Sequence, residues 1–292
     1  MKISLIQMNS QPNREANLAQ ALRLMRDACA GAKPDLLVLP EHFDWTGGTP
    51  EDKRDAADLV PGGDAYEMVR AFAREAGVAV HAGSLLERRP DDPRIYNTTV
   101  VFAPDGEEIG RYRKIHLFDI TAPDGKVYAE SAVVAPGDWL FVYDLAGFRV
   151  GCAICYALRF SRLFDRLASL EVDLVILPAA FTQQTGQDHW EVLCRARAIE
   201  FQCFFAACGQ CGSYRAPNGE ERSMFGHSMV IDPWGRVVAG TGQEIGILNA
   251  AIDRSMVGKV RQMIPMSMHR RDLSGTSIEY APVDGRQSLG GN

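Results

Sequence analysis

Asp35-Leu-Leu-Val-Leu-Pro-Glu-His-Phe43 and Asp173-Leu-Val-Ile-Leu-Pro-Ala-Ala-Phe181 are two versions of one segment, 138 residues apart in the chain. Each opens on an aspartate, runs through four apolar residues and stops at a proline. A run that short, closed by a residue without a ladder N–H, reads as a buried strand. The echo extends in both directions. Pro104-Asp-Gly106 and Pro233-Trp-Gly235 mark corresponding turns 129 residues apart, and Lys2–Leu5 resembles Arg149–Cys152. Each half then reads β-α-β-α-β-β. Two such halves bury their apolar faces by packing sheet against sheet with helices outside. The expectation is an α/β fold, a four-layer α-β-β-α sandwich with a pseudo-twofold internal repeat. A doubly wound α/β sheet is the alternative. No G-x-G-x-x-G follows a predicted strand and no Walker lysine loop is present, so its nucleotide-binding version lacks support.

Working outward, apolar runs predict strands over 2–8, 34–39, 78–86, 97–103, 107–113, 148–154, 172–178, 202–210, 227–232, 236–240 and 246–252. Helical periodicity predicts helices over 15–31, 64–76, 160–170, 188–201 and 254–262. Leu18, Leu22, Met25 and Cys29 form one face of the first. Beyond residue 272 the chain turns polar and Gly-rich. The predicted organisation is one domain over 1–272 and, over 273–292, a polar C-terminal tail or an arm along a partner subunit.

Composition narrows the functional classes. The 292 residues are 46% hydrophobic, an ordinary globular balance. A net charge of −6, with no basic run interleaved with aromatics, argues against nucleic acid and acidic membrane surfaces as partners. No run approaches the ~18 apolar residues of a membrane span. The N-terminal MKISLIQMNSQ alternates like a strand and is too short in apolar residues for a signal peptide. A cytoplasmic protein is the expectation. Seven cysteines do not make a disulfide scaffold, and an odd number leaves one unpaired. The C-x-x-C pairs Cys152/Cys155 and Cys208/Cys211 lie in strand-like runs, where positions three apart point to opposite faces. Buried structural thiols are therefore expected, one of them excepted, and no metal.

Three residues stand out for chemistry. Glu41 follows a buried strand directly, at the carboxyl edge of a sheet where catalytic groups gather. Its counterpart in the second half is Ala179, so the position needs no acid for folding. Cys155 ends Val150-Gly-Cys-Ala-Ile-Cys155 before a helical pattern. A strand-to-helix turn exposes a thiol, and the helix N-terminus favours its thiolate. Lys114, in Arg111-Tyr-Arg-Lys-Ile-His-Leu117, closes a predicted hairpin. By itself it reads as part of a basic edge that discourages aggregation. Arg111 and Arg113 share one strand face, expected towards solvent, while Lys114 and Tyr112 take the other. Gly226-His-Ser228-Met-Val230 only approaches the G-x-S-x-G elbow, with Val230 in the last glycine position and a strand around it.

Taken together, LPEHF around Glu41, RYRKIHLFD around Lys114 and GCAICYALRF around Cys155 resemble the nitrilase superfamily of carbon–nitrogen hydrolases. The three motifs stand in the family's order and spacing. The resemblance covers about residues 1–272 and includes DHWEVLCRARAIE (188–200) and GHSMVIDPWG (226–235). It is strongest to the omega-amidase and deaminated-glutathione-amidase branch. It implies an α-β-β-α sandwich pairing into an eight-layer homodimer, without metal or organic cofactor. It further implies Cys155 as nucleophile, Glu41 as general base, Lys114 with the Tyr156 main-chain N–H as oxyanion donors, and Glu130 orienting Lys114 and the substrate amide. Arg159 and Thr185 match groups that hold a substrate carboxylate, a bidentate task suited to guanidinium. His189, Arg195, Arg197 and Glu200 fall to structure or to a subunit interface.

The implied function is hydrolysis of a small linear amide, an ω-amide bearing a distal carboxylate, through a cysteine thioester with release of ammonia. An N-carbamoyl amino acid or amine hydrolase is the alternative inside the superfamily. A catalytically impaired member acting as a binding module is the alternative outside it. Two departures from the family pattern bear on the second. Ala157 stands where an aspartate is usual, and Ser161-Arg162 replaces the Pro-Glu of the R-F-P-E segment.

Overall fold

The structure, a computed structural model, describes residues 1–122, 124–273 and 275–278. Its first half runs β1 (Lys2–Gln7), α1 (Arg14–Gly31), β2 (Leu36–Val38), α2 (Pro50–Ala56), α3 (Asp64–Ala76), β3 (Ala79–Glu87), β4 (Tyr96–Phe102), β5 (Glu108–Arg113), β6 (Asp119–Thr121) and β7 (Val127–Ala129). The second half runs β8 (Val142–Leu145), β9 (Phe148–Cys152), α4 (Ser161–Ser169), β10 (Leu174–Ala179), α5 (Gln183–Phe201), β11 (Phe204–Gly209), β12 (Ser213–Arg215), β13 (Glu221–Ser223), β14 (Met229–Ile231), β15 (Val237–Gly240), β16 (Gly246–Ala251), α6 (Ser255–Met263) and α7 (Met266–His269).

Among the described residues the strands form two six-stranded sheets, ordered β16-β1-β2-β3-β4-β5 and β8-β9-β10-β11-β14-β15, and two small hairpins, β6–β7 and β12–β13. In each large sheet three central strands are parallel and the flanking pairs antiparallel. The orders superpose when β1, β2, β3, β4 and β5 are matched to β9, β10, β11, β14 and β15. That is the repeat read from Asp35–Phe43 and Asp173–Phe181, and the fold is the expected α-β-β-α sandwich.

Period-2 alternation builds the layers. Ile3, Leu5, Leu36 and Val38 face the second sheet and join a core with Val150, Cys152, Leu174 and Ile176. Ile6, Met8, Leu37 and Leu39 point the other way, into a core with Leu24 and Met25 of α1 and Val69 and Phe72 of α3. Phe164 of α4 and Trp190 of α5 cover the second sheet. The turns Pro104–Gly106 and Pro233–Gly235 join β4 to β5 and β14 to β15, with Gly106 and Gly235 at φ +83° and +85°, conformations that suit a residue without Cβ.

Several elements depart from the sequence expectations. Helix α5 starts at Gln183, five residues early, because the Thr182 side chain caps it; the first turn is polar and carries no apolar period. Helix α2 has no buried residue, so no stripe marked it, although its Thr49/Asp52 capping box and Pro50 were visible signals. The hairpins β6–β7 and β12–β13 are short and polar. Edge strand β8 and helix α7 were also not expected. Arg111 and Arg113 do not simply face solvent: they pair with Glu108 and Glu87. Of the tail or arm expected over 273–292, residues 274 and 279–292 lie outside the described residues. No described helix is long and apolar enough to cross a membrane.

Candidate active site

The ends of β2 and β10 approach each other at a cavity of about 210 Å³. Its wall includes Glu41, Lys114, Glu130, Cys155, Tyr156 and Thr185. Six of the seven residues singled out from the sequence therefore meet in one place. Arg159 is not among the lining residues. Its guanidinium lies 3.2 Å from His189 Nδ1 and over the Phe181 ring, which itself lines the cavity.

Glu41 follows Pro40 at the end of the β2 segment and is 1% exposed. Its Oε1 accepts from Lys114 Nζ at 2.8 Å and Asn97 Nδ2 at 2.9 Å, and its Oε2 accepts from the Ala180 N–H at 2.8 Å. Lys114 follows β5 and is equally sheltered. Its ammonium also donates to Glu130 Oε1 and Oε2 at 3.0 and 2.8 Å. Glu130 opens a 3-10 turn after β7, where Oε2 accepts the Phe118 N–H at 2.6 Å. One cation thus bridges two carboxylates, and each carboxylate has further donors, as buried charges require.

Cys155 begins a 3-10 turn between β9 and α4 with φ +45°, a left-handed conformation rare for a residue with a side chain. The turn places the sulfur beside Glu41, near enough for each group to shift the other's hold on its proton. The thiol is 6% exposed rather than open as the turn by itself suggested, because β10 and the cavity wall close over it. Ala157 is fully buried beneath the turn, and its main chain bonds to Ile154 and Phe160, so the turn closes without the family's aspartate. Arg162 is exposed on α4.

The electrostatics follow from burial and proximity. Burial works to raise the Glu41 carboxyl, but Lys114, then His42 and hydrogen bonds from Cys155 and Lys114, outweigh it and hold it well below the usual carboxylate range. Burial works against the Lys114 ammonium, yet Glu130 and Glu41 hold its proton more firmly than in water. The Cys155 thiol is pushed well above its ordinary value by burial and then by Glu41, with Lys114 opposing. Burial lowers the His42 imidazole below its ordinary value, with Glu41 opposing. The resting pair is therefore a thiol beside a carboxylate.

Among the described residues, Glu41, His42 and Glu130 form a group whose potential metal-ligand atoms lie within 4.8 Å of one another. Lys114 Nζ already stands between the two carboxylates, so a divalent ion there would meet a buried ammonium. All seven cysteines are free; of the six besides Cys155, all but the partly buried Cys29 are buried, and the Cys208 thiol donates to the Ile6 carbonyl at 3.2 Å. Thr185 presents its hydroxyl to Thr182 Oγ1 at 2.8 Å. Three residues of the site escaped the sequence reading: Asn97, which holds Glu41 from behind the cavity wall, and the lining residues Lys53 and Arg222 on α2 and β13. The last two sit on elements that carry no apolar period.

A two-sheet sandwich with a buried Cys-Glu-Lys constellation defines a class of hydrolase, and the family model of carbon-nitrogen hydrolases matches residues 2–262. The chain belongs to that family and is an amidohydrolase. It is 37% identical over 268 residues to the deaminated glutathione amidase of Synechocystis sp. (strain PCC 6803 / GT-S), covering 91% of this chain and 96% of that protein. It is likewise 37% identical over 276 residues to omega-amidase NIT2-A of Xenopus laevis, covering 92% and 95%. The crystal structure of the C. elegans NitFhit protein matches with a TM-score of 0.85 at 34% identity, over 92% of this chain and 65% of the length of that longer chain.

Proposed function

We propose that the protein hydrolyses a small linear amide bearing a distal carboxylate, with Cys155 as nucleophile, Glu41 as base and acid, and Lys114 as oxyanion donor. The observation that carries this reading is one cavity lined by Cys155, Glu41, Lys114 and Glu130, in which Lys114 bridges the two carboxylates. The thiol proton passes to Glu41 as sulfur attacks the carbonyl carbon, since a free thiolate beside a carboxylate is unfavourable at rest. Negative charge then grows on the carbonyl oxygen, where the Lys114 ammonium and the Tyr156 main-chain N–H stabilise it; such donors are worth ~3–4 kcal/mol each. Glu41 returns its proton to nitrogen, ammonia leaves and a thioester remains. Water attacks the thioester while Glu41 takes its proton, and the acid departs as the thiol reforms. Glu130 keeps Lys114 aimed.

The relatives named omega-amidase and deaminated glutathione amidase agree with an amide of an acid as substrate. Exposed Val192 and Ile199 on α5, with Ile199 against the Gly235 turn that follows exposed Trp234, support assembly as a homodimer through that face. Free cysteines throughout suit a reducing compartment such as the cytoplasm. Ammonia release from purified protein over ω-amides, carbamoyl compounds and nitriles tests the reading. Activity confined to carbamoyl compounds or nitriles overturns it.

A further inference from the structure

The cavity wall holds three cations, Lys114, Lys53 and Arg222, but only two carboxylates, Glu41 and Glu130. Lys114 engages both acids directly, which leaves Lys53 and Arg222 without an acid of their own inside the cavity. The half-buried Lys53 sits on α2, and among the described residues its ammonium has no hydrogen-bond or ion-pair partner. Arg222 sits on β13 with its guanidinium over the Tyr128 ring at 4.8 Å. Among the described residues its buried Nε has no hydrogen-bond partner, and its one ion pair, to Glu220, is long at 3.7 Å. Burial and the Arg222 charge both weaken the hold of Lys53 on its proton, against the pull of Glu130. Two neighbouring cations that repel each other across a partly dry wall are stabilised by an anion placed between them.

We propose that Lys53 and Arg222 form the subsite that receives the substrate's distal carboxylate, so that α2 and the β12–β13 hairpin select the anionic substrate. A monoanionic amide balances the excess positive charge of the wall. The same wall also carries the apolar side chains Trp45, Leu86, Val133 and Val134, which suit a methylene spacer. A guanidinium accepts a carboxylate edge-on with two donors, and the flexible ammonium of Lys53 closes on the second oxygen. Arg159, by contrast, does not line the cavity, and its guanidinium lies against His189 and Phe181.

This inference rests on the amidase reading, and two measurements keep them separable. The first compares kcat/KM for glutaramate, the monoamide of glutaric acid, with that for neutral pentanamide. Lys53→Met and Arg222→Met should each reduce the preference for the acid ~10- to 100-fold, the usual effect of removing a charge-assisted partner, and Lys53→Arg should retain most of it. Arg159→Ala should leave the preference within about threefold. The second needs no turnover: glutarate should protect Cys155 from alkylation by iodoacetamide in the wild type and fail to do so in the Lys53→Met/Arg222→Met double variant, with thermal melting checking that both are folded. A preference that survives the double substitution and collapses in Arg159→Ala overturns the assignment. Absence of ammonia release from either amide defeats the amidase reading, and the alkylation result still decides the anion subsite.

Discussion

Glu41 Oε2 accepts the main-chain N–H of Ala180 at 2.8 Å, and Ala180 is the residue after Ala179, the counterpart of Glu41 in the second half of the repeat. The proposed base is therefore held by the corresponding strand end across the sandwich. One half supplies the carboxylate and the other a fixed donor for it. Lys114 and Asn97 hold the second oxygen, so the carboxylate has little rotational freedom and presents one defined edge to Cys155. Such preorganisation lowers the cost of reaching the transition state.

Cys155→Ala should reduce ammonia release to background while the melting temperature stays within a few degrees of wild type. The residue is small, and alanine keeps the same main-chain atoms in the turn. Intact-mass analysis after brief exposure to substrate should show an acyl adduct in the wild type and none in the variant. Substantial turnover by Cys155→Ala ends its assignment as nucleophile.

Glu41→Gln should lower kcat by at least ~10², since the amide cannot take the thiol proton. Lys114→Ala should do the same and also destabilise the fold. The ammonium is 2% exposed between two carboxylates, and breaking a buried pair typically costs ~3–5 kcal/mol. At a chain of this size that is a fall in Tm of about 10 °C. Adding Glu130→Gln to Lys114→Ala should recover part of the loss by removing one stranded charge. A Lys114→Ala protein that melts with the wild type contradicts the buried network.

Acid stability should report His81, which lies on β3 between the sheets with Nδ1 3.2 Å from the Tyr143 hydroxyl and Nε2 unpartnered. Burial pushes its pKa down to about 3. The folded state therefore favours the neutral ring. Its contribution is fully present above the unfolded value of ~6.5 and is lost as pH falls from there towards 3. Melting curves of wild type and His81→Leu should diverge in that window, the variant losing less on acidification. Parallel curves from pH 7 to 4 would show that His81 is not buried as a neutral group.

Gly83→Ala should prevent folding or cost a large part of the stability. A Cβ at this position would lie 1.9 Å from the Leu39 carbonyl oxygen and 2.2 Å from that of Pro40. Main chain cannot step aside as a side chain can, and the displaced segment carries Glu41. Soluble yield and Tm check this; a normally folded, active Gly83→Ala protein refutes so close an approach.

The duplicated strand-proline segment, the two turn glycines and the period-2 runs were enough to derive two β-α-β-α-β-β halves. Strand burial and turn geometry are dictated locally, by side-chain alternation and by residues that lack a Cβ or an N–H. The same logic placed Glu41 at a strand end and Cys155 on a turn. Lys114 was different. Its position after a hairpin looked like a solvated edge, and only the resemblance to other hydrolases marked it.

What local chemistry could not supply was which strand ends converge and what the polar insertions cover. Asn97, Ala180, Lys53 and Arg222 carry no periodic signal, because each serves through a long-range contact and not through its own element. Lys53 is an ordinary surface-helix lysine by sequence, and Arg222 an ordinary hairpin arginine. The pattern of the chain determined two matching sheets and placed Glu41 and Cys155 at a strand end and a turn. Tertiary packing decided that a buried ammonium would be shared by two carboxylates, that the thiol would be enclosed, and that the cations at the cavity wall would be Lys53 and Arg222 in place of Arg159. Burial and distance set the strength of charge interactions, and both arise only when segments far apart in the chain are brought together.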